Sequence, residues 1–349
     1  MIEIEEKYMS RCFELAQKGR GNTWPNPMVG AVIVHEGKII GEGYHRKCGE
    51  AHAEVNAIAA VKNESLLKDS TLYVSLEPCS HYGKTPPCAE LIIRKGIPRV
   101  VVGCLDPFVK VSGRGVGMLR DAGVEVICGV LEQEAQALNA PFMTMQQKHR
   151  PFILLKWAQS ADGFMDKRRD SVAERPVVLS SSETRRRVHK LRAESAAILV
   201  GTRTALLDNP SLTVRDWAGA SPIRVVLDRH LALPDTLHLL DGSVQTLVFT
   251  GKKAASREGV EYITIDFDGS IWAQILDELA GRKIDSLMVE GGANVLSQLL
   301  EAGLWDEAHV ETAPCCLSGG VKAPVITRGR VVSTVRCVDK GRFVTIYRS

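Results

Sequence analysis

His52-Ala53-Glu54 is followed by Glu77-Pro78-Cys79 and, after eight intervening residues, by Cys88. One imidazole and two thiolates suit zinc, and three protein ligands leave a tetrahedral ion with one open position where water is activated near neutral pH. Glu54 is not needed as a ligand beside two thiolates. It is free to carry protons between that water and a ring amino group. The set points to hydrolytic deamination of a pyrimidine or purine base. A closed zinc knuckle is the alternative; it needs a fourth ligand, for which Cys48, Cys104 and His81 are the candidates.

These residues must be held by an α/β framework. Glu5 to Lys18 has apolar residues at helical spacing and ends at Gly19. Val29–Val34 and Ile39–Tyr44 read as two strands around a Glu36-Gly37 turn. A helix is expected from Ala51 to Val61 with His52 in its first turn, where free amides and the helix dipole favour developing negative charge. Thr71–Leu76 reads as the strand that delivers Cys79, and Pro86-Pro87 as the start of a helix with Cys88 in its first turn. Strands at Arg99–Leu105 and Val124–Cys128 and helices around Met118–Ala122 and from Glu132 to about Met145 complete the first half.

Gln146 to Arg150 with Pro151 forms a polar boundary. A second alternating series begins at Phe152–Trp157. Its clearest helix starts at Ser180, which has capping-box spacing to Glu183, and runs through Arg192. Further strands are expected at Ala196–Gly201, Ile223–Asp228, Thr246–Thr250, Ser286–Glu290, Ala308–Thr312 and Phe343–Tyr347, enough for an independent sheet.

Composition bounds the function. A chain of 349 residues predicts two domains of roughly 150 to 200 residues. The formal charge of +3 is spread without a basic stripe in the first half, which argues against nucleic acid as partner. No apolar run approaches the ~20 residues of a membrane span. The start lacks a basic, apolar leader, so a cytoplasmic protein with reduced cysteines is expected.

Asn26-Pro27-Met28-Val29-Gly30, Gly49-Glu50-Ala51-His52-Ala53-Glu54 and the run from Glu77 through Gly83-Lys84-Thr85-Pro86-Pro87-Cys88 closely resemble the bifunctional deaminase/reductase family of riboflavin biosynthesis. General nucleoside deaminases separate the two cysteines by only two residues; the long insertion is specific to this family. The second half resembles the family's reductase domain through Lys156–Gly163, Leu191–Glu194, Thr204–Pro210, Leu212–Arg215 and Val289–Gly292. The resemblance implies a cytidine-deaminase-like α/β sandwich over residues 1–147, acting as a zinc-dependent pyrimidine deaminase. It implies a dihydrofolate-reductase-like α/β domain over residues 150–349, acting as an NADPH-dependent reductase. The substrate would be a diaminopyrimidinone ribosylamino phosphate, deaminated and then reduced from ribosyl to ribityl, by a homo-oligomer with no nucleic-acid or membrane partner.

By that resemblance His52, Cys79 and Cys88 hold one zinc per chain and Glu54 shuttles protons. Asn26 contacts substrate, although an Asx turn before proline explains it equally well. Val289–Asn294 is a strand, glycine turn and helix start that lets a phosphate approach backbone amides. Ala158, Thr204, Asp208 and the turn and helix of Gly292, Ala293, Asn294, Val295, Leu296, Ser297 and Gln298 are expected along the cofactor. Arg192, Leu212, Arg215 and Glu290 are expected on the substrate, the two arginines as phosphate forks. Lys156 is either a proton source or an edge-strand charge, and Arg185, Arg186, Arg187 and Lys190 read as a solvated face. Many family members carry Ser-x-Trp-Ile-Thr before the helix; here Pro176-Val177-Val178-Leu179-Ser180 stands there, after a charged stretch from Met165 to Arg175. That departure leaves a deaminase with a non-catalytic second domain as the competing expectation. A base deaminase acting on nucleic acid is disfavoured by the balanced charge and the long cysteine spacing.

Overall fold

β-branched runs such as Ala31–Val34 and Val100–Val102 are buried on both faces, the pattern of strands covered on each side by helices. The computed structural model describes residues 5–82, 86–107, 112–339 and 341–349, so Gly83, Lys84 and Thr85 of the inter-cysteine insertion lie outside the described residues. The chain divides into two compact units, Met1–His149 and Arg150–Ser349. Among the described residues no helix is long and apolar enough to cross a membrane.

The first unit runs α1 (Glu6–Gln17), β1 (Gly30–His35), β2 (Lys38–Tyr44), α2 (Ala53–Ala59), a 3-10 turn at Glu64–Asp69, β3 (Thr71–Leu76), α3 (Cys88–Lys95), β4 (Arg99–Cys104), α4 (Arg114–Asp121), β5 (Glu125–Cys128), α5 (Glu132–Leu138) and α6 (Ala140–Lys148). The sheet order is β2-β1-β3-β4-β5, with β1 antiparallel to both neighbours and β3, β4 and β5 parallel. Alternate residues face opposite ways. Ile33, Leu72, Val74 and Val102 pack on Ala57, Ile92 and Leu119 of the α2–α4 layer, while Val32, Tyr73 and Val101 pack on Met9 and Cys12 of α1.

Two expected helices differ. The segment from Glu132 to Met145 is broken at Asn139, whose side chain accepts from Met28 N and donates to Met28 O, both at 2.8 Å. Pro141 lacks an N–H and is tolerated only near a helix start, where it restarts the chain as α6. The segment from Ala51 to Val61 is helical only over α2: His52 has extended backbone and precedes the first turn rather than lying in it.

The second unit runs β6 (Phe152–Gln159), β7 (Phe164–Asp166), α7 (Ser182–Glu194), β8 (Ala197–Val200), α8 (Thr202–Asp208), β9 (Ile223–Leu227), a 3-10 turn at His238–Leu240, β10 (Thr246–Thr250), β11 (Val260–Thr264), α9 (Ile271–Gly281), β12 (Ser286–Val289), α10 (Ala293–Glu301), β13 (Glu307–Thr312), β14 (Val321–Lys322), β15 (Arg330–Arg336) and β16 (Phe343–Arg348). Nine strands form one sheet in the order β11-β10-β9-β8-β12-β6-β13-β16-β15, parallel as far as β13 and antiparallel at its last two strands. Ile153, Leu155, Leu287 and Val289 face α9 and α10; Leu154, Ile198 and Met288 face Val188 of α7 and Ala205 of α8.

The capping serine of α7 is Ser181, whose Oγ accepts from Thr184 N, and not Ser180. Ser180 instead donates to Glu311, and Glu183 accepts the Val338 N–H. Tertiary partners therefore override the local capping-box spacing. Strands β7, β11, β14 and β15 were not expected; β15 is a mostly exposed edge strand with no buried face.

Candidate functional site: a three-ligand metal centre and a basic cavity

Strand β2 lies against α2 at backbone contact distance. A Cβ on Gly43 would sit 2.3 Å from Ala57 N and 2.4 Å from Ala53 O, so only glycine permits this packing. Asn56 tightens it by donating to Tyr44 O at 2.9 Å and Ala51 O at 3.2 Å. The result fixes His52 and Glu54 at the start of α2. Cys79 comes from the loop after β3, and Cys88 opens α3, whose N–H donates to the Cys79 sulfur at 3.3 Å.

His52 Nδ1 lies 3.6 Å from Cys79 Sγ and 3.4 Å from Cys88 Sγ, and the three donor atoms fall within 4.8 Å of one another. Among the described residues this group has no fourth member, and the alternative ligands are elsewhere engaged or exposed: Cys104 is buried against Ser75 O, and Cys48 and His81 face solvent. The donor chemistry therefore fits zinc with one position open. The Cys79 thiol is held low, to about 4, first by the Cys88 hydrogen bond and also by His52, which makes a thiolate available for the metal. Glu54 is 3% exposed, and burial, reinforced by the neighbouring Cys79 charge, pushes its carboxyl up to about 7.

Two residues at this centre were not singled out from sequence. His45 is buried beside His52, ring edge to ring face at 5.4 Å, with Nδ1 at 3.2 Å from Ala51 O and Nε2 at 3.3 Å from Asn26 Nδ2. With Nδ1 donating to that carbonyl, Nε2 accepts from the Asn26 amide, and burial lowers the pKa of the ring. The Asn26 side chain is thus anchored by His45, while its N–H closes a local turn on Thr23 O at 2.8 Å. Glu77 is buried, and its carboxylate accepts from four backbone amides: Gly113 and Gly115 at 2.9 Å, Val116 at 3.1 Å and Asp106 at 3.2 Å. It neutralises the amino end of α4. Gly115 approaches so closely that a Cβ there would lie 2.0 Å from Pro78 O. The adjacent motif residue thereby ties the Cys79 loop to α4.

In the second unit a cavity of about 990 Å³ opens at the carboxyl ends of β6, β8, β9 and β12. Ligands of open α/β sheets bind at such ends. Of the residues expected along a cofactor, Ala158, Thr204, Asp208, Gly292, Ala293, Asn294, Val295 and Gln298 line it. Leu296 is packed in the core and Ser297 is not in the wall. Of those expected on substrate, Lys156, Arg192, Arg215 and Glu290 line it, whereas Leu212 is buried beneath. Lys167, Arg185, Arg203, Arg215 and Arg229 are exposed cations of the wall, so one of the four residues read as a solvated face, Arg185, belongs to it. A cavity of this size and charge fits a dinucleotide phosphate and a phosphorylated substrate.

Arg192 lines the cavity as expected and also makes contacts within the protein. Its Nε and Nη2 grip both oxygens of Glu290 at 2.7 Å and its Nη1 donates to Thr213 O at 3.1 Å, which uses three of the five N–H groups of the guanidinium. Burial works against the charge on Glu290, but Arg192 more than offsets it and the carboxyl stays below its ordinary range. The segment 176–180 that lacks the tryptophan lines the cavity. It is fixed by Arg342, which bonds Leu179 O and Glu311, and by the Val177 N–H on Asp166 at 2.9 Å. The charged stretch before it is organised by Arg169, which bridges Asp166 at 2.6 Å and Asp208 at 2.5 Å.

Residues 151–344 match the family model of the RibD C-terminal domain, and residues 2–104 match the cytidine and deoxycytidylate deaminase zinc-binding region. The riboflavin biosynthesis protein RibD of Aquifex aeolicus (strain VF5) is 43% identical over 326 residues, covering 91% of this chain and 89% of that protein. That of Bacillus amyloliquefaciens is 41% identical, covering 98% and 93%. A solved diaminohydroxyphosphoribosylaminopyrimidine deaminase/5-amino-6-(5-phosphoribosylamino)uracil reductase from Thermotoga maritima superposes with a TM-score of 0.89 at 37% identity, covering 98% of each chain.

Proposed function

The chain belongs to the RibD family of bifunctional riboflavin-biosynthesis deaminase/reductases, and we propose the residues through which each unit performs its reaction. Residues 1–147 are assigned the deamination of the diaminopyrimidinone ribosylamino phosphate and residues 150–349 the NADPH-dependent reduction. The reading rests on one observation: His52, Cys79, Cys88 and buried Glu54 converge in one unit, while the other holds a large, cation-lined cavity.

His52, Cys79 and Cys88 would hold the zinc, which would supply the Lewis acidity that makes water a nucleophile at neutral pH. Glu54 takes the proton from the attacking water and returns it to the departing ammonia; a carboxyl brought near 7 by burial exchanges protons readily there. Asn26, fixed by neutral His45, orients the pyrimidine ring. In the other unit bound NADPH would supply a hydride. Backbone at Gly292 to Val295, with Thr204 and Asp208, borders the cofactor, Arg215 binds the substrate phosphate, and Lys156 provides the proton that reduction consumes. Arg192 holds Glu290 and Thr213 and, from the cavity wall, faces the substrate. The near-balanced charge supports a small-molecule substrate and no nucleic-acid role, and we assign a cytoplasmic homo-oligomer.

Incubation with the diaminopyrimidinone phosphate, with and without NADPH, followed by mass analysis, tests the pair of activities. Ammonia is released in both cases and the ribityl product forms only with NADPH; an unchanged substrate would refute the deaminase reading. Cys79→Ala or Cys88→Ala should lose both metal and ammonia release, because two remaining ligands bind zinc poorly. Full zinc content by elemental analysis in either variant would overturn the ligand assignment.

A further inference from the structure

The segment Thr213–Arg215 is gripped at two points by side chains one helical turn apart on α7. Arg192 Nη1 donates to Thr213 O at 3.1 Å, and the Arg215 N–H donates to His189 Nδ1 at 3.0 Å. His189 is 5% exposed and lines the cavity beside Arg192 and Arg215. The Arg215 guanidinium is tied back to the same segment through Thr213 Oγ1 at 2.9 Å. An imidazole accepts at Nδ1 only when that nitrogen carries no proton. We propose that His189 is a positioning residue for reduction: its unprotonated Nδ1 sets the backbone at Arg215 and thereby aims the guanidinium that receives the substrate phosphate.

This rests on the assignment of Arg215 to that phosphate. The groups facing His189 are Arg192 on its own helix, Arg215 and Asp216 on the gripped segment, and Glu290 after β12. Asp216 Oδ2 lies 3.6 Å from Nε2 and is half exposed, so it holds a protonated ring only weakly. Burial, aided by Arg192, lowers the pKa of His189 and keeps Nδ1 free at neutral pH. Once His189 is protonated, Nδ1–H faces the Arg215 N–H, two donors meet, and the grip is lost.

The test uses the full chain, NADPH and the deaminated ribosylaminouracil phosphate. His189→Ala should raise KM for that substrate about tenfold, the scale of one lost hydrogen bond, with kcat and the fluorescence-measured NADPH affinity little changed. His189→Asn, which places a non-titrating acceptor near Nδ1, should recover most of the loss. Wild-type KM should climb as pH falls below the ordinary histidine value, where the lowered pKa of His189 lies, more steeply than that of His189→Asn, since titration of the phosphate itself is common to both. An Arg215→Ala variant with normal KM would remove the phosphate assignment and this inference with it. Raised KM in Arg215→Ala beside normal KM in His189→Ala would overturn the inference alone. Should His189→Ala not fold, the comparison of wild type with His189→Asn decides, and identical pH profiles would overturn it.

Discussion

Glu54→Gln lowers deamination by on the order of 100-fold or more while zinc content and NADPH oxidation with the deaminated substrate stay near wild type. The amide keeps the shape of the side chain at the start of α2 but cannot accept the proton of the attacking water. Glu54 is not among the three donors within 4.8 Å, so its replacement leaves the metal held. Elemental analysis and ammonia release measure the two halves of this expectation, and near-normal ammonia release would take Glu54 out of the mechanism. The same variant isolates the reductase within the intact chain. Failure to oxidise NADPH there would mean that the segment around Val178 has cost the second unit its activity.

Arg192→Ala is expected to be the most damaging single change in the second unit. Both side chains of the Arg192–Glu290 pair are 11% exposed, and removing the arginine leaves a buried carboxylate without its counter-charge, a loss of about 3 to 5 kcal/mol. Thermal unfolding should show it, and reductase turnover should fall with it because the Thr213 carbonyl loses its donor. The sign with pH is fixed by Glu290, whose folded pKa is depressed. Its stabilisation is fully present above the unfolded carboxylate value of about 4.3 and is lost as pH falls through the lower folded value. The gap between wild type and Arg192→Ala should therefore be wide at neutral pH and narrow in acid. Arg192→Lys restores charge without the fork and should recover only part of the loss. An unaltered melting curve for Arg192→Ala would sink this account.

The convergence of His52, Cys79 and Cys88 was legible because the candidate chemistry is written locally: His52 and Glu54 are two residues apart, and Cys79 and Cys88 flank one insertion. The alternation of strands and helices and the split near residue 150 follow from hydrophobic period and the polar boundary. What stayed hidden depends on partners distant in sequence. The pairing of Arg192 with Glu290, 98 residues away, has no local signal. Asn26 and His45 come together only when the chain closes around β1 and β2, and the four amides on Glu77 arrive from beyond β4. Ser180 and Glu183 match a capping box, but Glu311 and Val338 claim them first. Strand β15 lies mostly exposed at an edge, so it has no buried face to mark it in the sequence.

The carboxylate of Glu77, saturated by four amides beside Cys79, bears on how the metal is acquired. Its bonds do not involve an ion, so Glu77 is held by the protein's own amides, and zinc bound at the proposed ligands would leave little conformational entropy to be lost at this end of the segment. In zinc fingers the ion must organise the chain that holds it. Here the sheet and α4 already hold Glu77, and the affinity of the proposed centre would reflect ligand chemistry more than folding.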